Sequence, residues 1–69
     1  MDSHVYKFIA LASSSTVSID DAIRNAVETA SKTIRHLDWF QVIETQGDVA
    51  DGKIAHFQVT LKVALGLES

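Results

Sequence analysis

Hydrophobic and polar residues change rhythm several times along this chain, and each change marks an element. From His4 to Ala12, Val, Tyr, Phe, Ile and Leu dominate, which predicts a strand. Its faces are Val5, Lys7, Ile9 and Leu11 against Tyr6, Phe8, Ala10 and Ala12. Both are largely apolar, so the strand is expected to be covered on two sides. Ser13-Ser14-Ser15-Thr16 then breaks the pattern and reads as a loop. The spacing predicts a helix from Ser18, where Ser18-Ile19-Asp20-Asp21 resembles a capping box with acids at the positive end of the dipole. Ile19, Ile23, Ala26, Val27, Ala30, Ile34 and Leu37 recur at three- and four-residue steps, an apolar stripe for a helix of roughly 20 residues. Arg35 and His36 would close its last turn.

Beyond the helix the period becomes two. Trp39 to about Gln46 reads as a second strand, and Asp51-Gly52 is a hairpin signal. Lys53 to about Leu65 is a long third strand, with Phe57, Val59, Leu61, Val63 and Leu65 on one face and His56, Gln58, Thr60 and Lys62 on the other. The expected architecture is α+β: a β-α-β-β subunit with one helix packed on a curved three-stranded antiparallel sheet. Residues 1–69 form a single domain. The helix takes the face carrying Phe57, Val59 and Leu61, joined by Phe40 and Val42. Trp39, Gln41, Ile43 and Thr45 are assigned to the bare face with Gln58, which therefore mixes apolar area with placed polar groups, as an interface or ligand site does.

Composition sharpens this picture. A 69-residue chain buries only about 60% of the surface its unfolded form exposes, so it needs further support. The sequence has no cysteine, and His4, His36 and His56 lack metal-ligand spacing, so disulfides and metals are set aside. Self-association remains, and 46% hydrophobic residues are more than one small core hides. The net charge of −3, with scattered cations, argues against nucleic-acid and anionic-membrane partners. No run approaches a membrane span or a signal peptide, and a cytoplasmic location is the expectation. There is no Gly-rich phosphate loop and no defensible Ser-His-Asp set, so no catalytic residue is named and the protein is read as a non-enzyme. Trp39 is either an interface tryptophan or a platform for a flat ligand, and Gln58 either a solvated amide or a partner for a heterocycle's polar edge.

Leu37-Asp38-Trp39-Phe40, with His56-Phe57-Gln58-Val59-Thr60-Leu61-Lys62-Val63, resembles the dodecin family, as do His4-Val5-Tyr6-Lys7 and Leu67-Glu68. The resemblance spans essentially the whole chain. It implies a hollow homododecamer that binds flavin, with the ring stacked on Trp39 and its polar edge hydrogen-bonded by Gln58. Thr45 and Gln46 complete the candidate flavin-contacting set. Two departures stand out: Gln46 precedes Gly47 where many bacterial dodecins have arginine, and Ala64-Leu65-Gly66-Leu67-Glu68 replaces Gly-Phe-Arg-Leu-Glu. Losing two arginines removes partners suited to a phosphate, which favours riboflavin, with FMN second, and disfavours coenzyme A. The implied role is storage or sequestration with quenching of flavin photochemistry. The alternatives are a structural or protein-interaction homo-oligomer without flavin and a small flavin enzyme.

Overall fold

A computed structural model describes residues 5–67; His4 and Glu68 of the expected motifs lie outside them. The order is β1 (Val5–Ser15), α1 (Ile19–Ser31), β2 (Leu37–Ala50) and β3 (Lys53–Leu67). The strands form one antiparallel sheet in the order β1-β3-β2, with the longest strand in the middle. The β-α-β-β expectation therefore holds. Asp51 (φ 53°) and Gly52 (φ 74°) form the two-residue turn, both left-handed, as a tight hairpin following the sheet's twist requires.

The core lies where α1 crosses the sheet. Val59, Leu61 and Val63 of β3 are buried against Ala22 and Ala26, with Ile9, Leu11, Leu37 and Val42 packed at its margin. The most buried helical positions are Ala22, Ala26 and Ala30, while Ile23 and Val27 are only half-buried. Ala22, outside the expected stripe, is fully covered: a row of small side chains lets the helix lie close on the sheet, and the bulkier residues flank it.

Three features differ from expectation. The serine run is strand, since Ser13, Ser14 and Ser15 pair with Val59, Gln58 and Phe57. Ser15 is buried because it organises the turn into α1. Its hydroxyl donates to Asp21 Oδ2 (2.6 Å) and accepts the Val17 N–H (2.9 Å) and, at 3.4 Å, the Ser18 N–H. Ser18 is the N-cap, its Oγ accepting the Asp21 N–H at 3.0 Å. Ser15→Ala is accordingly expected to cost about 1–3 kcal/mol by leaving those groups unpaired. Ser14→Ala, on the exposed neighbour, stays within about 0.5 kcal/mol. Denaturant unfolding of both variants measures the difference.

The helix stops at Ser31, well short of Leu37. Its end tightens into three-residue bonds from Lys32 to Thr29 and from Thr33 to Ala30, where β-branched Thr33 and Ile34 favour leaving helical geometry. No basic residue occupies the last turn. His36 instead turns the chain at φ 64°, and its carbonyl accepts the Gly66 N–H at 3.1 Å. Leu37 opposes Leu65 and reaches the core from β2.

The third difference is one of phase. Residue pairing in β2 shifts between Leu37 and Trp39, between Val42 and Glu44, and between Asp48 and Val49. Such bulges bend a strand and increase its twist, which supplies the expected curvature. Ile43 has no Cα partner on β3, so alternation resets there. Glu44 and Gln46 oppose Thr60 and Gln58 on the bare face, and Thr45 opposes Val59 on the helix face. Thr45 thus leaves the face assigned to it. Glycine at 47 is required by the pairing, because a Cβ there would stand 2.7 Å from the His56 carbonyl oxygen.

Helix and sheet are badly matched in length. Thirteen residues of α1 span about 20 Å and fifteen of β3 about 50 Å. The subunit is correspondingly long and thin, 56 × 21 × 14 Å. Ten large apolar residues stay exposed among those described, including Trp39, Phe40, Ile43, Val49 and Ile54. One short helix cannot cover this sheet, and the uncovered area is the physical demand for association.

Candidate functional site

The helix occupies one side of the sheet, so the candidate site is the other. Its rows follow from the register. Phe8, Ala64 and Trp39 share a row across β1, β3 and β2, followed by Ala10, Lys62 and Gln41, then Ala12, Thr60 and Glu44, then Ser14, Gln58 and Gln46. His56 and Asp48 continue the face toward the hairpin, with Nδ1 3.8 Å from the carboxylate and both side chains more than half exposed. A pair so solvated contributes little to stability.

Trp39 stands at the rim where β2 begins and is 43% exposed. It is not isolated. The Phe8 ring centroid lies 5.2 Å away at an interplanar angle of 78°, and that of Tyr6 6.2 Å away at 67°. The Lys62 ammonium stands 5.3 Å from the Phe8 centroid. Sequence reading placed Tyr6 and Phe8 on one face of β1 but gave them no part in the site. The available signal was the smallness of Ala64 and Gly66, the β3 residues that oppose Phe8 and Tyr6.

Gln58 and Gln46 face each other across β2 and β3 and, with Ala12, Ser14 and Thr60, line a depression of about 280 Å³. That volume is at the lower edge of what holds a small-molecule ligand. Amides and hydroxyls there offer donors and acceptors without net charge. Thr45 opposes Val59 and does not line that depression, but with Gln46 it borders a second groove of about 320 Å³ at the sheet edge, shared with Ile19, Asp48, Val49, Ile54 and Phe57.

Trp39 and Gln58 share a face but are not neighbours. Gln58 lies six residue steps along β3 from Ala64, the register partner of Trp39, about 20 Å of extended chain. The subunit therefore joins Trp39 to Phe8 and Tyr6, and Gln58 to Gln46, but not the two groups to one another. Among the described residues no three His, Asp or Glu side chains gather closely enough to hold a metal ion, and no helix is long and apolar enough to cross a membrane.

Fold and face together define a β-α-β-β subunit with an aromatic platform on the open side of its sheet. The chain belongs to the Dodecin family, whose profile matches residues 5–68. It is 41% identical over 64 residues to the dodecin of Thermus thermophilus, covering 93% of each chain. The structure of dodecin from Streptomyces coelicolor superposes with a TM-score of 0.89 at 43% identity, covering 100% of this chain and 99% of that one. A calcium dodecin of Mycobacterium tuberculosis, a calcium-chelating immunodominant antigen with a novel calcium-binding site, matches at a TM-score of 0.78 and 29% identity, over 93% of this chain and 91% of that one. Dodecamer assembly is known for the family.

Proposed function

We propose that this protein is a non-enzymatic flavin store: a hollow homododecamer that stacks flavin on Trp39, sequesters it and quenches its photoreactivity. The carrying observation is a half-exposed indole, flanked by two aromatic rings, on a sheet face its own helix leaves bare. Such a platform suits a flat conjugated ring. Stacking covers the ring face that a redox substrate would need, and close contact with an electron-rich indole gives the excited flavin a fast route to lose its energy by electron transfer.

Membership of the family and the strand register support an assembled site. With about 20 Å of strand between Trp39 and Gln58 in one subunit, a site that uses both for one ring is best built with Gln58 from a partner subunit. Copies that cover the exposed apolar residues would also complete the site. Gln46 reaches the bare face beside Gln58 and can contribute an uncharged contact, whereas Thr45 faces the helix side and does not line the depression at Gln58.

Riboflavin is the favoured ligand. Gln46 and Gly66 stand where the resemblance expects arginines, and neither supplies the charge or fork geometry that holds a phosphate. Parallel titrations of riboflavin and FMN by flavin fluorescence test this. We expect both to be quenched, with riboflavin bound several-fold more tightly; equal or tighter FMN binding would keep the site but refute the phosphate argument.

A further inference from the structure

We propose that Phe8 is a positioning residue that fixes the plane of the Trp39 indole for ring stacking, an inference that rests on the flavin reading above. β1 and β2 are not neighbours: β3 runs between them, which puts them roughly 10 Å apart. Side chains from strands so separated meet only when the intervening residue is small and the side chains are large. Both conditions hold here, since Ala64 opposes both Phe8 and Trp39 and is fully buried beneath them.

The contact is directional. Phe8 meets the indole nearly perpendicularly, and Tyr6, two residues back on the same face, meets it at 67°. Swinging the indole out of its plane breaks both edge contacts. Phe8 is itself held, because the Lys62 ammonium stands 5.3 Å from its ring centroid, within cation–π range. The clamp therefore runs from Lys62 through Phe8 to Trp39. Its centroid distance of 5.2 Å, against 6.2 Å for Tyr6, makes Phe8 the principal member. An indole fixed before the ligand arrives does not lose that freedom on binding, which is how preorganisation raises affinity.

The chain's single tryptophan makes the test direct. Phe8→Leu keeps an apolar side chain for assembly but removes the ring; Phe8→Tyr keeps the ring. Each variant is sized by sedimentation, and the time-resolved fluorescence anisotropy of Trp39 is recorded without ligand before riboflavin is titrated. We expect assemblies of unchanged mass. Phe8→Leu should gain a fast depolarising component and bind riboflavin about 3- to 10-fold more weakly, and Phe8→Tyr should restore both properties. An indole as rigid in Phe8→Leu as in the wild type, or a mobile indole with unchanged affinity, overturns the proposal. If the wild type binds no riboflavin, the flavin reading fails separately, and the anisotropy alone decides whether Phe8 holds the indole.

Discussion

Replacing Trp39 by alanine is expected to lower riboflavin affinity by about 100-fold while the assembly keeps its mass. Alanine substitution at aromatic stacking platforms costs about 1–3 kcal/mol for each flat ring carried. Each chain carries a single tryptophan, so the substitution removes every indole from the assembly. The fold should tolerate the change, because the indole lies outside the core formed by Val59, Leu61, Val63, Ala22 and Ala26. Titration and sedimentation on the same sample separate the readings. A structural or protein-interaction oligomer that uses Trp39 as an interface anchor predicts the reverse, a broken assembly. Intact assembly with unchanged flavin affinity would remove the platform from Trp39 altogether.

Leu61→Ala should be the most damaging single truncation for the fold. Leu61 is fully buried at the centre of the sheet, between Leu11 and Val42 in register and within the cluster that Ala22 and Ala26 complete. Large-to-small changes at such sites cost about 2–5 kcal/mol. A core this small has little capacity to close the cavity, and the alanines facing it have no longer side chain to extend. Because folding and association are linked in a subunit of this size, the loss should appear as a lower, concentration-dependent melting temperature. Circular dichroism melts at several protein concentrations would show it. A melting temperature within a few degrees of the wild type would mean that subunit contacts, and not this core, carry the stability.

How much of this was legible in the sequence depends on which interaction decided each feature. Local chemistry read correctly: Ser18 caps the helix, Asp51-Gly52 turns the hairpin, and the alternation of Val59, Leu61 and Val63 marks the buried face. Tertiary pairing did not. Ser13, Ser14 and Ser15 have loop composition but are held in β1 by bonds to a long β3, and Ser15 hides a turn-forming role inside a polar run. Leu37 continued the helical spacing only because the inner face of β2 happens to place an apolar residue at that step.

The site divides along the same line. Trp39 and Gln58 could be assigned to one face because regular alternation carries that far. The bulge at Ile43 lies beyond it, since an unpaired residue has no signature in a stretch that alternates plausibly either way. It moves Thr45 to the helix side and brings Gln46 beside Gln58. Phe8 was missed for a related reason: its contact with Trp39 crosses an entire strand and depends on Ala64 being small. The separation of Trp39 from Gln58 by about 20 Å of strand likewise needs the register, which no single-chain pattern contains.

The most direct measurement is the fluorescence of riboflavin titrated with ligand-free, assembled protein. Near-complete quenching that saturates at about one flavin per subunit is expected, in keeping with one indole per chain. Riboflavin fluorescence that stays unchanged in the presence of excess assembled protein would contradict it, and would leave an associating subunit whose aromatic face serves another purpose.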